Sequence, residues 1–222
     1  MREQQNYSLR QATTADSESS AVLRNTYGLL ALTLAFSGVV AYFSQQMGMP
    51  HPGLMLTLVG FYGLFFATMK LRNSGWGLLT TFALTGFMGY TLGPILNMYM
   101  SMPNGASVIS SAFAMTAFVF TGLSAYVLIT RKDMSFLNGF ITVGFFVLLA
   151  AVIASFIFEI SGLQLAISAG FVLFSSAMIL FQTSAIIQGG ERNYIMATIS
   201  LYVSIYNLFL SLLSILGFAN ND

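Results

Sequence analysis

The sequence predicts an all-α integral membrane protein of seven transmembrane helices, the last of them a central post on which the others pack. Three observations carry this reading. Only 7% of the 222 residues are charged and 56% are hydrophobic. A soluble domain has about 25% charged residues, so no aqueous surface could be built from so few. Seven apolar runs follow one another, most of them close to the roughly 20 residues a helix needs to cross a bilayer. The positive charges fall in alternate connections between those runs, which fits an odd number of spans and no other.

Taken in order, residues 1–20 are rich in Gln, Ser, Thr and charge, with little to bury. Such a segment cannot offset its ordering entropy, and it reads as a flexible cytoplasmic tail preceding a transmembrane domain over 21–222. It lacks the early apolar core of a signal peptide, so no cleavage is expected. The spans are placed near 26–44, 54–69, 76–98, 107–130, 136–158, 163–188 and 194–218. Short connections make sequential helices antiparallel neighbours. The third span carries Gly86, Gly89 and Gly93, and the G-x-x-x-G spacing of the last two marks a close-packing face. Pro94 follows at once and should kink or end that helix. Gly189 and Gly190 stop the sixth span, and Asn193 is placed to cap the seventh.

All eight Lys and Arg residues lie on one side of this seven-span layout: Arg2, Arg10 and Arg24 before the first span, Lys70 and Arg72 between the second and third, Arg131 and Lys132 between the fourth and fifth, and Arg192 between the sixth and seventh. The positive-inside rule makes that side cytoplasmic and puts the C-terminus across the membrane.

Several chemistries are excluded. There is no Cys and one His, His51, which makes a zinc site improbable. Acidic residues occur only at 3, 16, 18, 133, 159, 191 and 222, in tails, loops or helix ends. Proton relays, coupled transporters and voltage sensors are marked by ionisable groups within the membrane, and this chain has none there. No helix-7 lysine is present for retinal, no histidine for a serine protease and no buried aspartate pair for an aspartyl protease. A non-enzymatic protein without cofactor or metal is expected. No basic cluster suits nucleic acid.

The last span holds the most informative pattern. Within 194–217 (YIMATISLYVSIYNLFLSLLSILG), Ala197, Ser200, Ser204, Asn207, Ser211 and Ser214 recur at alternating steps of three and four. That spacing draws one stripe along a helix, a surface for close packing and interhelical hydrogen bonds. Gln182 in the sixth span, with Ser204 and Asn207, is the candidate polar cluster. It reads either as a hydrogen-bonded clasp between the two helices or as a gating element with weak cation affinity.

Certain strings carry a resemblance. The segments 86–96 (GFMGYTLGPIL) and 201–212 (LYVSIYNLFLSL) resemble the transmembrane Bax-inhibitor-motif family. Segments 22–27 (VLRNTY), 52–63 (PGLMLTLVGFYG), 124–137 (SAYVLITRKDMSFL) and 186–194 (IIQGGERNY) are similar to its bacterial YccA-like branch. The resemblance runs from about residue 22 to 219. It implies seven helices with the last surrounded by the other six, an inner-membrane location with the N-terminus inside, and two activities: binding and restraining the membrane protease FtsH, or, as in the wider family, a pH-sensitive calcium leak. The family's leak is tied to an aspartate pair, and the matching positions here are Gln182 and Ser204. A neutral pair cannot titrate, so any leak through this chain is expected to lack the acidic-pair pH response.

Overall fold

The computed structural model describes residues 2–158 and 162–220, with side chains described from Glu18 onward. These residues form seven helices: α1 (Arg2–Gln46), α2 (Leu54–Leu71), α3 (Trp76–Met100), α4 (Gly105–Thr130), α5 (Leu137–Ile157), α6 (Leu163–Ile187) and α7 (Tyr194–Ala219). Each contains a segment long and apolar enough to cross a membrane, that of α1 being Glu18–Gln46. The backbone of α1 runs without a break from the tail segment into the first span. Glu159, the acidic residue expected nearest the membrane, lies outside the described residues.

Helix α7 is the most buried of the seven, and α2 and α5 are the least. Its principal neighbours are α6, α4, α1 and α3. Leu201, Tyr202 and Ile205 of α7 pack with Leu30 of α1 and Met88 of α3, while Leu208, Phe209, Leu212 and Leu213 pack with Val108 and Ala112 of α4 and Ile179 of α6. The outermost helices attach through others, α2 on α3 and α5 on α6. Close packing therefore does not follow chain order throughout. Helix α1 packs most extensively on α3 rather than on α2, and α5 packs on α6 rather than on α4.

The glycine face of α3 explains the first exception. A Cβ at Gly86 would strike the Phe36 ring, one at Gly89 the Ser37 carbonyl and one at Gly93 the Ser44 side chain. Three glycines thus seat α3 directly against α1, as small residues do where helix backbones approach closely in lipid. Of the two outcomes expected at Gly93-Pro94, a kink or an end, the end does not occur: α3 continues through Pro94 to Met100. Proline removes the amide that would bond the Tyr90 carbonyl four residues earlier. Ser44 Oγ of α1 donates to that carbonyl at 2.9 Å and restores the missing bond.

The connections close as their residues dictate. Asn193 Oδ1 accepts from the Met196 amide at 3.1 Å and caps α7. Gly189 takes a left-handed φ of 75° beyond the end of α6, and the Gly190 amide donates to the Ala185 carbonyl at 2.8 Å. Asn193 Nδ2 also donates to Asn73 Oδ1 at 2.9 Å. Gln188 Nε2 donates to the Arg131 carbonyl at 2.9 Å, and Ser184 Oγ donates to that of Lys132 at 3.1 Å. These bonds gather the 2–3, 4–5 and 6–7 connections, and their positive residues, at one end of the bundle.

Candidate functional site

Helix α7 presents two polar faces, about half a turn apart. The first carries Tyr202 and Tyr206, four residues apart and therefore stacked one turn above the other, with ring centroids 6.4 Å apart. The Tyr202 hydroxyl donates to the Thr85 carbonyl of α3 at 3.2 Å and lies 2.5 Å from Ser37 Oγ of α1. Its proton is committed to Thr85, so Ser37 donates to Tyr202. Thr91 Oγ1 donates to the Met88 carbonyl at 2.8 Å and lies 3.1 Å from the Tyr206 hydroxyl, which therefore donates to it. One hydroxyl array thus joins α1, α3 and α7 inside the bundle.

The second face is the stripe of small and polar residues. Ser168 Oγ of α6 donates to Ser214 Oγ at 3.0 Å. Near this bond a vestibule of about 650 Å³ opens between α5, α6 and α7, lined by Ser155, Gln164, Ser168, Asn207, Ser211 and Ser214 together with Phe156, Phe158 and Phe171. It lies at the end of the bundle opposite the positive loops, where α6 begins and α7 finishes. Among the described residues its polar lining is neutral, hydroxyls and amides only. Such a surface hydrogen-bonds water and offers a cation a few oxygens without a countercharge, whereas calcium sites are built largely from carboxylate and carbonyl oxygens.

The Ser168–Ser214 bond fixes the register of the antiparallel pair α6 and α7. Counting inward from it sets Ser175 level with Asn207 and Gln182 level with Ser200, one turn from Ser204. Gln182 is 7% exposed and its Nε2 has no hydrogen-bond partner. Ser204 is buried and donates to the Ser200 carbonyl of its own helix at 2.8 Å. Asn207 borders the vestibule. Among the described residues no hydrogen bond joins Gln182 to Ser204 or Asn207. Of the residues singled out for packing, Gly86, Gly89, Gly93 and Pro94 face or adjoin α1, Ser211 and Ser214 line the vestibule, and Ser200 supplies the carbonyl that Ser204 uses. No group of three or more His, Asp or Glu side chains able to hold a metal occurs among the described residues.

The Tyr202 and Tyr206 array is absent from the sequence reading. The signal for it was present as a Y-x-x-x-Y spacing on the helix that also carries the polar stripe. Pro94 announces an unpaired carbonyl at position 90, but nothing in the sequence names Ser44 as its partner.

The chain has clear relatives. A family model described as inhibitor of apoptosis-promoting Bax1 (Bax1-I) matches residues 19–221. An uncharacterised protein of Pseudomonas aeruginosa is 77% identical over 222 residues, covering 100% of both chains. The protein of Escherichia coli K12 named Modulator of FtsH protease YccA is 58% identical over 201 residues, 90% of this chain and 91% of that one. A protein of Escherichia coli O6:H1 named Inner membrane protein YccA matches to the same extent. The α3 and α7 strings that resemble the Bax-inhibitor motif lie within these matches, and the chain belongs to the Bax1-I family.

Proposed function

We propose that this is a multi-pass inner-membrane protein that binds and negatively modulates the ATP-dependent membrane protease FtsH, without chemistry of its own. The observation that carries the reading is the 58% identity, over 90% of the chain, to a protein named as a modulator of that protease. The gathering of positive connections at one end supports a cytoplasmic N-terminus and a periplasmic C-terminus. In the proposed mechanism residues 1–20, the polar N-terminal segment whose backbone runs on into α1, engage the protease from the cytoplasmic side. The buried α7, tied by hydroxyl bonds to α1 and α3, then resists extraction, and the occupied protease acts more slowly on other membrane substrates. Two results test this. Raising the level of the protein in cells should lengthen the half-life of an unstable membrane substrate of FtsH, and an unchanged half-life would refute inhibition. Deleting residues 1–20 should lengthen the half-life of the protein itself in cells with active FtsH, and an unaltered value would remove the tail from the mechanism.

The vestibule favours a second reading, a weak cation leak of the Bax-inhibitor type with Gln182, Ser204 and Asn207 along its path. Two carboxylates in contact titrate as a coupled pair, whereas the Gln182 amide and the Ser204 hydroxyl do not titrate in the physiological range. Calcium flux through protein in liposomes, if present, should show no switch between about pH 6 and 8, the range open to a perturbed carboxyl pair. A steep transition there would contradict the assignment of a neutral pair.

A further inference from the structure

A furrow of about 590 Å³ lies between α1 and α4, on the far side of α7 from the vestibule. Its walls are α1 from Leu34 to Gln45 and α4 from Ile109 to Thr121, and its floor includes Tyr202, Tyr206 and Phe209 of α7. Helices α1 and α4 do not pack closely on one another along it. Each is held elsewhere, α1 by the glycine face of α3 and α4 by α7 and α6, so the gap is framed and cannot simply close. Small residues hollow out its walls: Ala35, Gly38 and Ala41 on α1 and Ala117 on α4. A Cβ at Gly38 would meet nothing within 4 Å.

The furrow has one closed end and one open end. Toward the positive loops the rings of Tyr27 and Phe120 meet with centroids 6.1 Å apart and bridge α1 to α4. At the other end Gln45 stands at the mouth. Leu34 to Gln45 is eleven helical steps, about 16 Å at about 1.5 Å per residue. The hydrocarbon core of a bilayer is about 30 Å thick, so the furrow runs from one interface to the midplane and stops. A transmembrane helix needs the full thickness of the bilayer, whereas the Tyr27–Phe120 contact closes the furrow about halfway across. Left empty, a lipid-facing groove of this size would forfeit the dispersion contacts of its lining.

We propose that this furrow is a binding site for one acyl chain of a phospholipid in the leaflet away from the positive loops. The chain lies over Tyr202 and Tyr206, covering the hydroxyl array that joins α1, α3 and α7, and its glycerol ester end meets the neutral amide of Gln45. Residues 47–53 and 101–104, which flank the mouth, contain no Lys, Arg, Asp or Glu. The site therefore selects for an acyl chain that fills the furrow and not for headgroup charge.

Native mass spectrometry of the full chain released from mild detergent tests this. The wild-type protein should carry one phospholipid, and protein exposed to micelles containing deuterated phosphatidylethanolamine should take up one labelled molecule. Phosphatidylglycerol of the same chain length should compete equally. Gly38→Phe and Ala117→Phe, which put a ring into the furrow from opposite walls, should lose the adduct. Val143→Phe on the exposed surface of α5 should retain it. The exchange measurement needs no variant, so a folding defect in either substitution leaves the proposal open to refutation. No stoichiometric lipid on the wild-type protein, an adduct that survives both furrow substitutions, or a polypeptide as the displaced species would each overturn it.

Discussion

Tyr202 is the side chain on which three helices converge. It is 1% exposed, and its hydroxyl both donates to α3 and accepts from α1. Interhelical hydrogen bonds in membranes average about 0.6 kcal/mol and reach about 1.7 kcal/mol, and a fully enclosed pair belongs at the upper end. Tyr202→Phe should lower stability by about 1–2 kcal/mol, read as a lower thermal midpoint in detergent. Tyr206→Phe should cost less, because Thr91 keeps its bond to the Met88 carbonyl when Tyr206 loses its hydroxyl. No loss in either variant would show that ring packing, not the hydroxyl, holds the bundle, because Phe keeps the ring. Single residues were unevenly legible in the sequence. Asn193 was readable because an N-cap is a local event, decided within three residues. Tyr202 was not, because an aromatic on an apolar helix looks the same whether its hydroxyl has a partner or faces lipid.

At the scale of elements, α3 shows how a helix passes through a proline. The Tyr90 carbonyl left by Pro94 is answered by Ser44 of the neighbouring helix. Ser44→Ala should destabilise the protein by about 1 kcal/mol. In a Pro94→Ala background the restored amide can bond Tyr90 within α3, so the same substitution should cost much less. A thermal or denaturant double-mutant cycle reads the difference, and additivity would refute the pairing. Gly89→Leu should force α1 and α3 apart and cost at least about 1–3 kcal/mol. Gly63→Ala, where a Cβ meets nothing within 4 Å, should leave stability within about 0.5 kcal/mol of wild type. The sequence marked the glycine face of α3 but could not name its partner, since G-x-x-x-G states only that something comes close. Chain order suggested α2 and α4, and the side chains of α1 supplied the match.

At the scale of the molecule, the polarity of the chain made the span count readable. A bilayer demands long uncharged stretches and the connections concentrate the charge, so α2 to α7 stand close to their expected limits, while α1 ends near its expected limit and begins at Arg2, well before the expected start. The central place of α7 was legible in its stripe for the same reason. What the stripe faces was not, because a vestibule is formed jointly by α5, α6 and α7 and no single segment encodes it. Among the described residues the molecule is a braced helical bundle with its positive connections gathered at one end, and the proposed role asks it to hold its shape and meet a partner. The most direct test of that account is purification of the tagged, full-length protein from its native membrane in mild detergent, with quantification of what accompanies it. The account predicts FtsH near stoichiometric amounts, and none with an unrelated seven-helix protein prepared the same way. A preparation free of FtsH, or equal recovery with the control, would contradict it.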